Sequence, residues 1–154
     1  MNDTTAVKEM KEAEDQLLQL VSFKIGEEEF GIEILRVREI NRMITVTRIP
    51  NSPVYIDGVI NLRGKVIPVI DLRSCLGLKR RDHDKDTRIV ITELDDKVVG
   101  FVVDTVSKVL RIPRSVTEPP PLITTGINAE YITAVGKLED RMITLLDLNK
   151  ILTN

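Results

Sequence analysis

Residues 54–78 read VYIDGVINLRGKVIPVIDLRSCLGL, and the prediction of the fold rests on them. Two apolar segments, rich in valine and isoleucine, are separated by Arg63 and Gly64. Such segments on either side of a glycine-containing turn predict a β-hairpin, in which Gly64 supplies a positive φ. Asp71 is placed to cap a short helix over residues 72–76. Taken alone, the pattern is typical of an ordinary hairpin followed by one helical turn.

The same pattern occurs a second time, 76 residues later, in residues 131–152. The identical pairs are Tyr55/Tyr131, Ile56/Ile132, Val59/Val135, Leu62/Leu138, Ile67/Ile143, Asp71/Asp147, Leu72/Leu148 and Leu76/Leu152. The preceding part of the chain repeats more weakly at an offset of 69, where residues 30–32 align with 99–101. Internal similarity at a fixed spacing is a signal about the whole fold. We therefore predict two homologous β-rich halves, about 17–78 and 88–152, related by a pseudo-two-fold axis. If so, Leu62 and Leu138 should occupy equivalent buried sites, and so should Ile67 and Ile143.

Length, composition and charge are those of one soluble globular domain. The chain has 154 residues, of which 42% are apolar and 30% charged, and its formal net charge is −2. This length allows a proper core, and the slightly acidic balance argues against a nucleic-acid partner. No apolar run approaches the ~20 residues that span a bilayer, so we expect no direct membrane insertion. Residues 1–16 are polar, and we expect them to form a disordered or weakly structured tail on a cytoplasmic protein.

The rest of the chain reads as many short strands joined by charged turns. The clearest strand segments are 17–25, 30–32, 89–94 and 98–103. The spacing of Ile34, Val37 and Ile40 by three predicts a short helical face or a bulged strand. Asp104 is expected to cap a turn that runs to residue 109. Short strands with helices confined to single turns are typical of small β-barrels.

The sequence contains no recognisable catalytic constellation. His83 is the only histidine and Cys75 the only cysteine, and one lies in a charged segment and the other in an apolar one. No Ser-His-Asp or Cys-His arrangement can be assembled from them, and no phosphate-binding glycine loop is present. A zinc site would need several histidine or cysteine ligands. We predict no catalytic site, no metal and no cofactor.

One alternative is a calcium-binding loop. Asp82, Asp84, Asp86 and Glu93 have the ligand spacing of such a loop. Against it, Thr87 stands where the sharp turn needs glycine, and the segment before Glu93 reads as a strand rather than a helix. A solvated charged loop explains the pattern better. A small calcium- or ligand-binding β-domain nevertheless remains the alternative function.

The repeated hairpins differ in their turns. The first turn contains Arg63 and Gly64, whereas residues 139–140 of the second are both acidic. A hairpin tolerates either pair, so folding alone does not require arginine at position 63. An exposed arginine on a rigid hairpin, next to Asn61 and Leu62, is a candidate recognition element. A merely solvated turn would explain it nearly as well, and both interpretations stay open at this point.

Three segments of the sequence resemble the CheW family, the coupling proteins of bacterial chemotaxis. They are FGIEILRVREI at 30–40, GVINLRG at 58–64 and IPVIDL at 67–72. The resemblance continues through 99–104 to 146–148, and it covers nearly everything after the tail. It implies a mainly β fold of two homologous five-stranded, SH3-like barrel subdomains around a shared apolar core, with short helices. It also implies that the chain is not an enzyme.

The resemblance implies partners as well. Members of the family connect methyl-accepting chemotaxis receptors to the regulatory domain of the histidine kinase CheA, in arrays on the cytoplasmic side of the membrane. By position, the receptor-binding region would comprise Gly58, Asn61, Leu62, Arg63 and Gly64, with Glu39 beside it. Ile34 and Val37 match positions that face the kinase in the family. We therefore expect an adaptor without catalytic activity.

Overall fold

Eleven strands make up most of the residues that the computed structural model describes, 17–120 and 129–153. They are β1 (Leu17–Ile25), β2 (Glu28–Glu33), β3 (Val37–Arg42), β4 (Ile56–Leu62), β5 (Lys65–Asp71), β6 (Arg88–Leu94), β7 (Lys97–Val103), β8 (Thr105–Pro113), β9 (Thr117–Glu118), β10 (Ile132–Lys137) and β11 (Met142–Leu146). Two short helices follow β5 and β11, namely α1 (Leu72–Cys75) and α2 (Leu148–Thr153). The predicted N-terminal tail lies outside the described residues.

The strands form two sheets, in the orders β8-β1-β2-β11-β10-β9 and β3-β6-β7-β5-β4. In the first, the chain leaves β8 through a 3-10 turn and pairs as β9 with β10, at the opposite edge. In the second, Thr47 follows β3 and exchanges hydrogen bonds of 2.8 and 2.9 Å with Val59 of β4. Each sheet thereby closes into a small barrel of five strands, with β9 as the continuation of β8. We call them the β1 barrel and the β3 barrel, after their first strands.

The backbones of the two repeated hairpins have matching features. The N–H of Asp71 donates to the carbonyl of Tyr55 at 2.8 Å, and the N–H of Asp147 donates to that of Tyr131 at the same distance. The β4–β5 and β10–β11 hairpins also share an irregularity in their register. It falls between Ile56 and Gly58 in one hairpin and between Ile132 and Ala134 in the other. Matching irregularities of this kind are specific features of a backbone, so the hairpins are true counterparts.

The two barrels, however, do not coincide with the two halves of the sequence. The β1 barrel combines β1 and β2 with β8–β11, and the β3 barrel combines β3–β5 with β6 and β7. Parallel pairing of β2 with β11 and of β5 with β7 joins the halves. Each barrel therefore takes strands from both of the predicted units, 17–78 and 88–152.

A shared apolar core lies between the barrels, as the family resemblance implies. The rings of Phe23 and Phe30 stack there with their centroids 6.0 Å apart, and Phe101 is buried in the same cluster. Each barrel also has a smaller core of its own. Three apolar cores explain how a chain with few aromatic residues excludes water from two barrels.

The repeated core residues follow the prediction only in part. Ile67 and Ile143 are buried at matching places in the two barrels, as expected. Leu62 and Leu138 also match each other, but both are half-buried, so the prediction that they are buried was wrong. Leu62 is the last residue of β4 and Leu138 directly follows β10, so both stand beside the exposed hairpin turns.

Two local predictions also need correction. Asp71 stands at the start of α1, but its carboxylate accepts a hydrogen bond from the Ser74 hydroxyl, at 2.9 Å, rather than from a backbone N–H. The segment after Asp104 is strand β8 and not a turn, because β1 offers its backbone a full set of partners. The Asp104 carboxylate instead accepts the N–H of Gly26 at 2.7 Å and pairs with Arg73, also at 2.7 Å.

Candidate functional site

Arg63 and Gly64 form the tip of the β4–β5 hairpin, with φ of 50° and 84°. Two successive positive φ values define the type I′ turn, which favours asparagine and glycine. The side chain of Asn61 supports the turn, because its Oδ1 accepts the N–H of Gly64 at 3.0 Å. A left-handed backbone costs a residue with a Cβ about 1 kcal/mol. Arginine at position 63 is therefore unfavourable for the turn itself, and the fold does not explain its presence.

The Arg63 side chain is held in place by Glu39 of β3. Nη2 of Arg63 donates to both carboxylate oxygens, at 2.8 and 2.9 Å, and Nδ2 of Asn41 donates to the same carboxylate at 3.1 Å. The hydrogen bond from Arg63, followed by that from Asn41, holds the pKa of Glu39 below its usual range. The side chain of Arg63 nevertheless remains 71% exposed. The structure thus brings two predicted site residues together and leaves the guanidinium accessible.

A shallow cleft of about 130 Å³ lies beside this pair. Leu62, Ile67 and Val98 line it with apolar groups, while Arg63 and Lys65 contribute positive charge. An apolar depression next to a fixed guanidinium is suited to a protein partner, since it offers both an area to bury and a directional polar contact. Three predicted site residues, Glu39, Leu62 and Arg63, therefore line the same cleft.

Gly58 lies inside the β3 barrel wall, whereas the turn residues Asn61, Arg63 and Gly64 are exposed. It is buried, its φ is 150°, and a Cβ there would lie 2.2 Å from the carbonyl oxygen of Thr47. Thr47 is the residue that closes the β3 barrel by pairing with Val59. By contrast, a Cβ on Gly64 would meet no atom within 4 Å. Glycine at position 58 is thus explained by the close approach of two backbones, without any partner.

Of the two predicted kinase-facing residues, Val37 begins β3, an edge strand of its sheet, and Ile34 lies just before that strand. A 3-10 turn, Ile34–Arg36, precedes the strand, and the register of β3 shifts between Val37 and Glu39. The segment thus contains both predicted conformations, a short helical turn and a bulged strand. Ile34 and Val37 are half-buried and pack against the shared core. Leu35, between them, is 91% exposed. The prediction from the sequence did not include Leu35, because it falls outside the series of Ile34, Val37 and Ile40.

Comparison with known proteins gives this arrangement a context. The sequence model of the CheW-like domain matches residues 19–154. The chain belongs to the CheW family. Chemotaxis protein CheW of Klebsiella aerogenes is 40% identical over 136 residues, which are 88% of this chain and 82% of that protein. Chemotaxis protein CheW of Helicobacter pylori is 39% identical over 142 residues, 92% of this chain and 86% of the relative.

A solved CheW structure has the same fold. It is the crystal structure of the scaffolding protein TtCheW from Thermoanaerobacter tengcongensis, with a TM-score of 0.81 and 38% identity. The match covers 87% of this chain and 86% of that one. The family predicted from the residues 30–40, 58–64 and 67–72 is therefore confirmed, and so is the two-barrel β fold.

The calcium alternative finds no support in this CheW-family chain. The carboxylate of Asp84 accepts the backbone N–H groups of Asp86 and Thr87, at 2.8 and 3.2 Å, so it serves to fold the loop. Glu93 lies on β6 and pairs with Arg38 at 3.7 Å. Within residues 17–120 and 129–153, no group of three or more histidine, cysteine, aspartate or glutamate side chains is arranged to hold a metal ion.

The single cysteine has the character of a structural residue. Burial, and then the charge of Asp71, raise the pKa of Cys75 to about 12. Because the thiolate is the nucleophilic form, such a thiol is unreactive at neutral pH.

In the part of the chain that the structure describes, no helix is long and apolar enough to cross a membrane.

Proposed function

We propose that this CheW-family protein is a non-catalytic adaptor of bacterial chemotaxis. It couples methyl-accepting receptors to the regulatory domain of the histidine kinase CheA, on the cytoplasmic side of receptor arrays. Family membership supports the chemotaxis role, and the relatives are named as chemotaxis and scaffolding proteins. An adaptor needs two contact surfaces and no chemistry, and the described residues offer two separate candidate surfaces.

The exposed Arg63, fixed by Glu39, is the observation that carries the proposal. Its guanidinium presents several N–H donors in one plane. Because Glu39 already restricts the side chain, binding costs less conformational entropy than it would for a free arginine. The neighbouring cleft provides apolar area for the side chains of a receptor's helical hairpin. The receptor surface therefore comprises Arg63, Glu39 and Leu62, with Asn61 and Gly64 shaping the turn.

The kinase surface is proposed for the start of β3. Ile34 and Val37 are partly covered by the shared core, and they hold the 3-10 turn against the barrel. Leu35 projects from the same turn and is almost fully exposed. An exposed leucine on a well-supported turn is suited to fill an apolar pocket of a partner. Leu35 thus extends the predicted pair, Ile34 and Val37, as the residue that makes the contact.

The test of the receptor surface is charge reversal at position 63. Arg63→Glu should leave the kinase affinity almost unchanged and weaken receptor binding by about 30-fold, which corresponds to about 2 kcal/mol. The matched control is Glu139→Arg, at the equivalent turn of the β1 barrel, which should have little effect on either partner. Titration of a receptor signalling fragment and of the CheA regulatory domain measures both affinities. Equal sensitivity of the two turns would contradict the proposal.

A double variant separates a direct contact from an indirect one. Arg63→Glu combined with Glu39→Arg restores the ion pair between β3 and the hairpin, but with its polarity reversed. If Arg63 touches the receptor, the double variant should remain as defective as the single one. Recovery of receptor binding would instead show that the pair acts only by stabilising the hairpin.

A further inference from the structure

Asn41 of β3 adds a third side chain to the pair formed by Arg63 and Glu39. In the register of β3 with β6, Glu39 lies opposite Ile91 and Asn41 lies opposite Ile89. Side chains two residues apart on a strand, and those directly opposite on its neighbour, share one face of the sheet. Ile89 and Ile91 belong to the core of the β3 barrel. Glu39 and Asn41, both half-buried, therefore share the face that leads into this barrel.

The Glu39 carboxylate accepts hydrogen bonds from its own strand and from the hairpin. Oε1 accepts Nδ2 of Asn41 at 3.1 Å and Nη2 of Arg63 at 2.8 Å, while Oε2 accepts the same Nη2 at 2.9 Å. An ionised carboxylate has no hydrogen to donate, so it takes the amino end of the amide and fixes which way Asn41 points. The terminal torsion of a glutamate is otherwise soft. With both donors present, the carboxylate cannot turn without losing a hydrogen bond.

The guanidinium of Arg63 depends on this carboxylate for its orientation. Among the residues that the structure describes, Glu39 alone accepts hydrogen bonds from the Arg63 side chain, and Nε and Nη1 make none. The Arg63 side chain is 71% exposed and that of Glu39 only 29%, so the pair is anchored at its Glu39 end. A long exposed side chain without an anchor populates many rotamers. Whatever fixes Glu39 therefore fixes Arg63 as well.

The other charged groups near Glu39 do not take this part. Arg38 and Lys65 line the same cleft, but within residues 17–120 and 129–153 neither donates a hydrogen bond to Glu39. Arg38 lies 3.7 Å from Glu93 instead. Hydrogen bonds are directional, whereas the attraction between exposed charges is screened by salt. Asn41 is thus the neighbour on β3 that sets the direction of the carboxylate, and its amide makes no second hydrogen bond in the same part of the chain.

We infer that Asn41 is a positioning residue of the receptor surface, which orients Glu39 and through it the guanidinium of Arg63. The inference rests on the function proposed above for Arg63. It makes the recognition element a chain of three side chains, which extends from the exposed tip of the hairpin to the wall of the barrel. A side chain that is already ordered loses less entropy on binding. Loss of Asn41 should therefore weaken receptor binding, although no group that touches the receptor is removed.

Replacement of Asn41 by leucine, which has a similar size but no donor, tests the inference in the free full-length protein. The hydrogen bond from Arg63, and after it that from Asn41, lowers the pKa of Glu39. Asn41→Leu should therefore raise this pKa toward its ordinary value in an NMR titration of the carboxyl carbon, whereas Asn41→Gln, which keeps the amide donor, should raise it less. Arg42→Leu, on the opposite and exposed face of β3, is the matched control and should leave the titration unchanged. A Glu39 titration in Asn41→Leu identical to that of the wild type would overturn the inference.

Receptor titration separates a failure of this inference from a failure of the proposed function. Asn41→Leu should weaken binding of the receptor signalling fragment about threefold to tenfold and leave the CheA affinity and the melting temperature unchanged. Asn41→Gln should recover most of the loss. Wild-type receptor affinity in Asn41→Leu, together with a loss in Arg63→Glu, would overturn the inference alone. Wild-type affinity in both variants would overturn the receptor surface itself.

A double variant distinguishes positioning from a general structural effect. If Asn41 acts through Arg63, Asn41→Leu should cause no further loss of receptor affinity in a protein that already carries Arg63→Glu. Additive losses would show that Asn41 acts by another route and would refute its assignment as a positioning residue. An equal loss of receptor affinity in Arg42→Leu would refute it as well.

Discussion

Replacement of Gly58 by alanine tests whether this glycine serves the fold or a partner. The family resemblance assigns Gly58 to the receptor-binding region, whereas the structure buries it beneath the carbonyl of Thr47. A methyl group at position 58 would lie 2.2 Å from that oxygen and 2.8 Å from Cγ1 of Val46. The strand from which Thr47 closes the barrel would have to move away.

The expected cost is large for a single methyl group. Overpacking against a backbone atom costs about 1–3 kcal/mol, and a residue with a Cβ at this φ costs about 1–3 kcal/mol more. The hydrogen bonds between Thr47 and Val59, now 2.8 and 2.9 Å, would also weaken. We expect Gly58→Ala to lower the free energy of unfolding by about 3–6 kcal/mol. For a domain of this size, the melting temperature should fall by roughly 10–20 °C.

Gly64→Ala is the matched control, because a Cβ there meets no atom and only the positive φ opposes it. Its expected cost is about 1 kcal/mol. Urea denaturation of both variants, followed by receptor titration below the melting temperature, separates stability from binding. If Gly58→Ala were as stable as Gly64→Ala and yet failed to bind a receptor, the structural explanation of Gly58 would be refuted.

Three further results are expected. Ile143→Ala should cost about 2–5 kcal/mol in urea denaturation, and Leu138→Ala clearly less, because only Ile143 is fully enclosed. Burial raises the pKa of Asp104, but the hydrogen bonds from Arg73 and Gly26 outweigh it, so the pKa in the folded state is lowered. The ionised Asp104 therefore stabilises the fold above about pH 4, and this contribution is lost as the pH falls through the folded-state pKa. The free energy of unfolding of Asp104→Asn should then approach that of the wild type. Leu35→Asp should weaken CheA binding at unchanged melting temperature, whereas Val37→Asp should also lower the melting temperature.

The candidate site could be predicted only in part from the sequence. The turn with Arg63 and Gly64 could be predicted because glycine and hairpin patterns are local signals. The ion pair with Glu39 joins residues 24 positions apart, and it depends on how β3 is placed against the hairpin. The role of Gly58 depends in the same way on the approach of Thr47, which the sequence does not record.

The duplication, the hairpins and the alternation of apolar residues could all be determined from the order of the residues, because each is a pattern within one segment. The assignment of strands to barrels required the tertiary structure. A strand with apolar residues on its buried face has the same pattern whether it pairs within its own half or with the other. The parallel pairs β2–β11 and β5–β7 connect distant segments, and only packing around the shared core selects them. Each barrel is therefore built from both halves of the repeat.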